Sequence, residues 1–311
     1  MAPPRLGLVG VGRWGRRYVD TIVRLPCAQL SAVTTSRSHG DLFPAGCNIF
    51  PSWPEMLDGA ELDGVVLAVP PQLHRPIAEA CIEHRLPVLV EKPMATTVDD
   101  AVAIAAAARR ARVPVMVDHT HLFSPAFQRL RQMVGPGPLV IRGEGGDHGP
   151  VGRPVDPLWD WGPHDVAMCL ALTGAMPTSV DARRASIKPD GGVLTEIVLR
   201  FDRGDAAVLT VGNAMEHKRR FLRVVDGDQV LVYDDLAPHK LTRQGKDGVD
   251  AVEVDEQWPL DRVVQDFVAT IRSGAEEHES ADRGVDVVRV LAAADHDLDQ
   301  PSAAAGHPSA R

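Results

Sequence analysis

The sequence predicts an α/β protein, with a doubly wound parallel sheet followed by an α+β domain that contains an open antiparallel sheet. In the first 120 residues, short apolar runs alternate with helical patterns, which is typical of parallel strands covered by helices on both faces. From about residue 137, long extended segments dominate, and turn sequences at 202–205 and 226–228 separate some of them. Turns of this composition between extended runs indicate antiparallel hairpins.

The chain of 311 residues is long enough for two domains of roughly 100 to 200 residues each. We expect the first domain at residues 1–120 and the second at residues 121–296. The remaining residues, 297–311, are mostly small and polar and include two prolines, which predicts a disordered tail. Helical patterns at 260–271 and 285–293 predict two amphipathic helices that pack back on the first domain.

Composition and charge exclude several classes of protein. The net charge of −9 argues against nucleic-acid binding as the main task, and no apolar stretch approaches the length of a membrane span. The N-terminal residues run directly into the first strand and leave no room for a signal peptide. The cysteines Cys27, Cys47, Cys81 and Cys169 lie far apart in the chain. We therefore expect free thiols in a reducing cytoplasm and no structural zinc.

A glycine-rich turn at residues 10–15 follows the first apolar run and opens a helical pattern. In this context Gly10 permits the tight turn, Gly12 lets the main chain approach a pyrophosphate, and Gly15 lets the helix pack closely on the sheet. The helix N-terminus attracts the anion. We therefore predict a dinucleotide-binding Rossmann domain whose cofactor contacts include these glycines, Arg13 and Trp14. The alternative is a glycine-rich turn without a ligand.

The end of the second strand indicates which cofactor is bound. The apolar run at 30–33 ends in Thr34, Thr35, Ser36 and Arg37, where a cofactor without a 2′-phosphate would require a carboxylate. A hydroxyl at Ser36 and a guanidinium at Arg37 suit a phosphate dianion. We therefore expect NADP(H) rather than NAD(H). The alternative is an ordinary solvated turn.

Polar residues follow two further strands of the predicted parallel sheet, at the edge where such sheets bind ligands. Pro70 ends the strand at 65–69, and His74 lies in the following helix. Glu91 and Lys92 directly follow the strand at 87–90, so the Lys92 ammonium is expected to project into the cofactor crevice. The alternatives are a solvated surface lysine and a His74 on the polar face of its helix.

Histidines mark two other places in the chain. Asp160 and His164 are four residues apart at a predicted helix entrance, before a helix at 166–172, so the carboxylate can orient the imidazole if the segment curls there. The alternative is a helix cap with an exposed histidine. His119 and His121 alternate on a strand end and could form half of a metal site. Because no convincing third ligand is present, we predict no metal.

These motifs, in this order and spacing, resemble those of the Gfo/Idh/MocA family of nicotinamide-dependent oxidoreductases. The resemblance rests on the glycine turn, Ala-Val-Pro-Pro at 68–71 with His74, Glu-Lys-Pro-Met-Ala at 91–95, and Asp-Trp-Gly-Pro-His at 160–164. It covers nearly all of the chain to about residue 295. It implies a dinucleotide domain followed by an open antiparallel sheet that covers the active site and often mediates oligomerisation. We therefore expect a homo-oligomer formed through this sheet.

The resemblance also implies roles for individual residues. Lys92 would contact the nicotinamide and the reacting hydroxyl, and His164 would be the acid/base. Asp160 would bind substrate or position His164. Pro70, His74 and Glu91 are expected at the cofactor.

The segments 118–125 and 158–165 are similar to those of family members that act on nucleotide-linked sugars and lipopolysaccharide precursors. The segment 145–156 differs from those members and is expected to line the substrate pocket. We therefore assign Asp147 and His148, together with His121 and Trp161, as substrate contacts. Usual members carry an acidic residue at the second strand end, so Ser36 and Arg37 are a further difference.

The predicted reaction is reversible hydride transfer between NADP(H) and a secondary alcohol or ketone of a sugar, sugar derivative or polyol. In the oxidation, His164 removes the hydroxyl proton while Lys92 stabilises the developing alkoxide. One alternative is a reductase of a C=N bond or a non-sugar carbonyl, for which Trp159, Trp161 and Phe123 supply apolar walls. The other is a non-catalytic NADP-binding sensor, in which Lys92 or His164 would be expected to be replaced.

Overall fold

The computed structural model describes residues 2–35, 42–149, 155–246 and 248–300, and within them the first part of the chain forms a six-stranded parallel sheet. Its strands are β1 (Arg5–Val9), β2 (Gln29–Thr34), β3 (Asn48–Phe50), β4 (Gly64–Leu67), β5 (Val88–Glu91) and β6 (Val115–Asp118). Their order across the sheet is β3-β2-β1-β4-β5-β6. The strand order reverses direction between β1 and β4, which is where open α/β sheets bind their ligands.

Helices connect and cover these strands. They are α1 (Arg13–Arg24), α2 (Trp53–Gly59), α3 (His74–Glu83) and α4 (Val98–Ala111). α4 begins where the Thr97 hydroxyl accepts a hydrogen bond from the Asp100 amide at 3.2 Å, which satisfies a first-turn N–H. α1 instead begins at Gly12 without a side-chain cap, so its first amide groups remain available to an anion.

The second part of the chain forms an eight-stranded sheet within the described residues. Its strands are β7 (Leu139–His148), β8 (Ser179–Ile187), β9 (Val193–Arg200), β10 (Ala206–Gly212), β11 (Ala214–Asp226), β12 (Gln229–Asp234), β13 (Leu241–Gly245) and β14 (Gly248–Ala251). Their order is β14-β13-β12-β11-β7-β10-β9-β8. The pairing is antiparallel except between β7 and β10, which are parallel. The predicted fold class is confirmed, with this one parallel pair as a departure from a purely antiparallel sheet.

The remaining helices are α5 (Pro125–Met133), α6 (Pro157–Thr173), α7 (Pro259–Ser273) and α8 (Glu279–Asp299). α6 packs on β7 and β10. It approaches β7 closely because that strand carries glycines. A Cβ atom at Gly143 would lie 2.8 Å from the Asp165 carboxylate, and one at Gly145 would overlap it. The close packing of α6 therefore depends on these two missing side chains.

α6 begins earlier than the sequence suggested. The expected helix started at 166, but the Asp156 carboxylate accepts a hydrogen bond from the Leu158 amide at 2.8 Å and caps a helix whose first residue is Pro157. Asp160 and His164 therefore lie inside the helix, one turn apart, rather than at its entrance.

Two clusters of buried apolar side chains form the core of the protein. One lies between one face of the parallel sheet and helices α1 and α7. The other runs continuously from the opposite face of that sheet, through α4, α6 and α8, to the inner face of the second sheet. Because α7 and α8 pack on elements of the first 120 residues, the chain returns to its N-terminal half after the second sheet.

The boundaries of the C-terminal segment differ from the expected ones. α8 extends to Asp299, three residues into the segment assigned to the disordered tail, and residues 301–311 lie outside the described residues. The division of the chain into domains at residue 120 stays a prediction. No helix in the described ranges has both the length and the apolar composition needed to cross a lipid bilayer.

Candidate active site

The glycine turn after β1 has the geometry that the motif predicts. Gly10 has a φ of +92°, and a Cβ atom there would lie 2.6 Å from the Ala68 carbonyl oxygen. A Cβ atom at Gly15 would overlap the carbonyl oxygen of Gly10. At Gly12, in contrast, the Cβ position has no described heavy atom within 4 Å. Gly10 and Gly15 are therefore required by packing, whereas Gly12 leaves open space at the N-terminus of α1.

The residues that follow Gly12 give this space a positive character. Arg13 is exposed at the first position of α1, and the first turn of the helix carries no acidic residue. The Arg17 guanidinium lies over the ring of Trp14, 4.9 Å from its centroid. Together with the free amides of the first turn, these groups favour a phosphate. Ser36 and Arg37 lie outside the described residues.

His74, at the start of α3, is fully buried. Its Nδ1 lies 3.1 Å from the carbonyl oxygen of Pro93, and its Nε2 lies 3.0 Å from that of Val69. The imidazole thus ties the exit of β4 to the loop after β5. Its ring nitrogens are engaged by the protein, so the side chain positions these two loops. Pro70 lies exposed beside this link, at the carboxyl edge of the sheet.

Lys92 is the first residue after β5, and its peptide bond to Pro93 is cis. Its Nζ donates hydrogen bonds to the Asp160 backbone carbonyl at 2.6 Å and to the Asp160 carboxylate at 3.0 Å. The Lys92 side chain is only 6% exposed. Lys92 is therefore not a solvated surface charge, and its ammonium joins the parallel sheet to α6.

A pair of buried carboxyl groups lies behind Lys92. Glu91 and Asp118 are directly paired neighbours on β5 and β6. The Tyr18 hydroxyl donates to Asp118 at 2.5 Å, and the Thr120 hydroxyl donates to its other oxygen at 2.8 Å. Burial, followed by the Asp118 charge, raises the pKa of Glu91 to about 8. Burial also raises the pKa of Asp118, so this pair carries less negative charge beside Lys92 than two ionised carboxylates would.

His164 lies on α6 one turn after Asp160 and is 5% exposed. Its ring meets that of His121 edge to face, with centroids 4.9 Å apart, and His121 Nδ1 lies 2.8 Å from the Tyr233 hydroxyl. Within the described residues, His164 makes no hydrogen bond to Asp160, whose carboxylate binds Lys92 instead. The expectation that Asp160 orients the imidazole directly is therefore wrong for this structure, because Lys92 is the carboxylate's partner.

The protonation state of these imidazoles follows from burial. Desolvation, followed by the charge of Lys92, lowers the pKa of His164 well below its ordinary value. Burial lowers the pKa of His121 to about 4 and that of His119 to about 3. All three rings are therefore neutral at neutral pH, and a neutral imidazole can accept a proton.

The ring nitrogens of His164 differ in their surroundings. Nδ1 is enclosed and has no hydrogen-bond partner among the described residues, whereas Nε2 is not among the atoms that are both enclosed and unpartnered. Nε2 is therefore the nitrogen that can exchange a proton with a molecule in the cleft.

The remaining expected substrate contacts separate into two groups. Trp161 is buried on α6, and the Arg220 guanidinium lies over its ring. Alternation along β7 puts Asp147 on the face that turns toward α6 and His148 on the opposite face, where it is exposed. Trp161 lies on the same helix as His164, and His121 packs against His164. His148 is not brought to this helix.

Arg220, Tyr233 and Asp118 were missed as site residues by sequence reasoning. Arg220 stands in a basic run on β11, and nothing local distinguishes it from its neighbour Arg219. Tyr233 and Asp118 are ordinary strand residues until the folded chain brings them to the imidazoles and to Lys92. In the parts of the chain that the structure describes, no three or more histidine, cysteine or acidic side chains are grouped in a way that could hold a metal ion.

Comparison with known proteins establishes the family. The model of the GFO_IDH_MocA family, an oxidoreductase family with an NAD-binding Rossmann fold, matches residues 4–119. A solved structure from Magnetospirillum magnetotacticum MS-1, provisionally described as an oxidoreductase, is 37% identical, covers 94% of this chain and 99% of its own, and superposes with a TM-score of 0.86. The chain belongs to the Gfo/Idh/MocA family. It is an oxidoreductase with an NAD-binding Rossmann domain, which confirms the predicted family and enzyme class.

Two relatives of stated activity resemble this family member over most of its length. UDP-N-acetylglucosamine 3-dehydrogenase from Acidithiobacillus ferrooxidans is 27% identical over 75% of this chain and 74% of its own. The 4-carboxy-2-hydroxymuconate-6-semialdehyde dehydrogenase from Sphingobium sp. strain SYK-6 is 24% identical over 92% of this chain and 96% of its own. These relatives act on different kinds of substrate, so family membership leaves the substrate open.

Proposed function

We propose that this Gfo/Idh/MocA oxidoreductase transfers hydride between NADP(H) and a secondary alcohol or ketone of a sugar, sugar derivative or polyol. The observation that supports this most directly is the position of Lys92. Its ammonium is held by Asp160 on α6, one helical turn from His164. A fixed cation beside a neutral imidazole is the pair of groups that alcohol oxidation requires.

The chain's glycine turn fits a dinucleotide. The open space at Gly12, the uncapped start of α1 and the exposed Arg13 are suited to a pyrophosphate. We propose that Gly10, Gly12, Arg13, Trp14 and Gly15 hold this part of the cofactor, with Pro70 at the neighbouring edge of the sheet. When bound, the cofactor supplies the hydride acceptor for oxidation and the hydride donor for reduction.

The preference for the phosphorylated cofactor is proposed from the residues at 34–37. No carboxylate stands among Thr34, Thr35, Ser36 and Arg37 to bind an unmodified ribose hydroxyl, and Arg37 offers a cation to a 2′-phosphate. We expect the Michaelis constant for NADP⁺ to be at least about tenfold lower than that for NAD⁺, which corresponds to roughly one charge-assisted contact.

In the proposed oxidation, Nε2 of His164 accepts the proton of the substrate hydroxyl while hydride leaves the carbon that bears this hydroxyl. The Lys92 ammonium stabilises the negative charge that develops on the substrate oxygen. Asp160 fixes the ammonium in place through its carboxylate and its backbone carbonyl. In reduction, the imidazolium of His164 returns the proton to the alkoxide oxygen.

The substrate class is proposed from the relatives together with the cleft. One relative oxidises a hydroxyl of a nucleotide-linked sugar, which favours a sugar hydroxyl. The second candidate is a non-sugar carbonyl compound, which is favoured by the relative that acts on a semialdehyde and by the buried Trp159 and Trp161 of α6. Because both Lys92 and His164 are present, a non-catalytic sensor has no support from the site.

We also propose that the protein forms a homo-oligomer through the outer face of the second sheet. Support comes from apolar side chains on that face, since Val140 is 57% exposed and Val208 is 37% exposed on neighbouring strands. A cytoplasmic location is proposed because the four cysteines, Cys27, Cys47, Cys81 and Cys169, are free thiols.

The test is a hydride-transfer screen with purified protein. NADP⁺ and NAD⁺ are each offered with sugars, sugar nucleotides, inositols and semialdehydes, and reduced cofactor is followed by absorbance. We expect turnover with a hydroxyl substrate, and a loss of about 10²- to 10⁴-fold in kcat for Lys92→Met and for His164→Asn. Lys218→Met and His217→Asn, exposed residues on β11, serve as matched controls. Cofactor binding without turnover of any substrate, or wild-type rates in both site variants, would overturn the proposal.

A further inference from the structure

The face of the second sheet that turns toward α6 carries a guanidinium that the proposed reaction does not use. Arg220 on β11 is paired with Gly145 on β7, whose missing side chain makes room for Asp165. Directly paired residues point to the same face of a sheet, so Arg220 points toward α6. Its guanidinium carbon lies 4.0 Å from the centroid of the Trp161 ring. Arg220 is thus held between the second sheet and the helix that carries His164.

Within the described parts of the chain, Arg220 has no counter-ion of the kind that its neighbour Arg219 has. Arg219, on the opposite face of β11, binds the Glu144 carboxylate at 2.8 Å. Among the described residues, the Arg220 guanidinium makes no ion pair, and its one hydrogen bond is to the Arg219 backbone carbonyl at 3.3 Å. A largely buried guanidinium stays charged, and leaving it without an anion is unfavourable.

The carboxyl groups around Arg220 are occupied or neutralised. Asp160 binds Lys92 at 3.0 Å, and Asp235 binds Lys240 at 2.9 Å. Burial raises the pKa of Asp165 to about 7, so it is partly protonated at neutral pH. The positive charge of Arg220 is therefore incompletely balanced by the residues that the structure describes.

A second unsatisfied donor lies beside this guanidinium. The Nε1 of Trp161 is enclosed and has no acceptor among the described residues, and the whole side chain is 6% exposed. Buried donors without acceptors are rare in folded proteins and indicate that a ligand or water supplies the acceptor. Two donor groups therefore adjoin on the helix that carries His164.

We propose that Arg220, stacked on Trp161, binds a carboxylate of the substrate, so that the natural substrate is a hydroxy acid of the sugar-acid type. This inference rests on the proposed function, since it names the substrate class of the same site. Stacking occupies one face of the guanidinium, and along its edge the only hydrogen bond among the described residues is the one to the Arg219 carbonyl. The remaining N–H groups of that edge match the two coplanar oxygens of a carboxylate. A tetrahedral phosphate does not offer this planar pair of oxygens, so the geometry favours a carboxylate.

Calorimetric binding to the protein saturated with NADP⁺ tests this without requiring turnover. The probes are three matched pairs: D-gluconate with D-glucitol, D-glucuronate with D-glucose, and L-threonate with L-threitol. Inorganic phosphate is the competing anion. We expect at least one acid to bind about 10- to 100-fold more tightly than its neutral partner, which is the range for a bidentate charge-assisted contact.

Arg220→Gln is expected to remove this preference while affinity for the neutral partner changes little, and Arg220→Lys is expected to retain part of it. Arg219→Gln, on the opposite face of the same strand, should keep the full preference. The NADP⁺ affinity of each variant reports whether it has folded. If Arg220→Gln does not fold, the comparison of Arg220→Lys with wild type decides, and an undiminished preference in Arg220→Lys overturns the proposal.

The proposal is overturned when no acid binds more tightly than its neutral partner, when Arg220→Gln keeps the preference, or when phosphate displaces the acids at equal concentration. A clear acid preference in a protein that oxidises no hydroxyl compound would refute the proposed function and leave the carboxylate site standing. Turnover of neutral sugars without any acid preference would refute the carboxylate site and leave the proposed function standing.

Discussion

Replacing Gly12 by alanine is expected to weaken cofactor binding while leaving the fold intact. Gly12 has a φ of −79°, on the side of the Ramachandran map that alanine occupies, and its Cβ would meet no described heavy atom within 4 Å. Fewer unfolded conformations favour alanine by about 0.4 to 1 kcal/mol, and its poorer helix capping offsets that gain. The free energy of unfolding of the cofactor-free protein should therefore change by less than about 1 kcal/mol.

The new methyl group would occupy the space through which a pyrophosphate approaches the first turn of α1. Moving the phosphate away weakens a charge-assisted hydrogen bond worth about 1.5 to 3 kcal/mol, which predicts a dissociation constant about 10- to 100-fold higher. Fluorescence titration with NADPH measures this constant, and urea denaturation of the cofactor-free protein measures stability.

Two other glycines provide matched controls. Gly245→Ala also places its methyl in open space, so it should leave affinity unchanged and stability equal or up to about 1 kcal/mol higher. Gly15→Ala drives its methyl into the Gly10 carbonyl oxygen and should lower stability. Wild-type affinity for NADPH in a folded Gly12→Ala protein would refute the idea that this space receives the cofactor.

Three further predictions concern buried titratable groups. Because His164 has a lowered pKa, the acid limb of kcat/KM for alcohol oxidation should lie below pH 6.5, and a limb at or above that value would contradict the role of this residue as base. Burial raises the pKa of Asp165 in the folded protein from its ordinary value of 3.8 to about 7, so the folded protein binds more protons and its free energy of unfolding falls as pH rises through this window. This contribution is about 4 kcal/mol over the whole window, of which about 2 to 3 kcal/mol falls between pH 5 and pH 8. Urea denaturation at these two pH values should therefore show a smaller fall for Asp165→Asn than for wild type, whereas equal falls would contradict the assignment. Tyr18→Phe removes a hydrogen-bond donor to the buried Asp118 and should lower the free energy of unfolding by about 1 to 3 kcal/mol in the same assay. An unchanged urea midpoint would contradict this prediction.

Much of the dinucleotide domain was predictable because its signals are local. The glycine turn connects β1 to the start of α1, so the positions that require glycine, Gly10 and Gly15, can be recognised within six consecutive residues. Lys92 was found in the same way, as the first residue after a buried strand. Asp156 followed by Pro157 is also a local signal for the start of α6, and it was available in the sequence although the helix was placed later.

The partners of these residues were not predictable. Asp160 and His164 are correctly spaced to interact with each other, yet the Asp160 carboxylate binds Lys92, which is distant in the chain. His121 meets both His164 and Tyr233 through contacts between three separate elements. Such choices among competing partners depend on distances that exist only after the two sheets pack together.

The sequence alone determined the α/β class, the glycine turn, the position of Lys92 after its strand and the membership of the family, because each depends on short-range spacing and backbone geometry. The tertiary structure alone decided which of two adjacent arginines faces the cleft. A register shift lies between Ala214 and Arg219 in the pairing of β11 with β7, and a change of one residue in register turns every side chain to the other face. Arg220 therefore reaches Trp161 because of strand pairing, which no local pattern specifies.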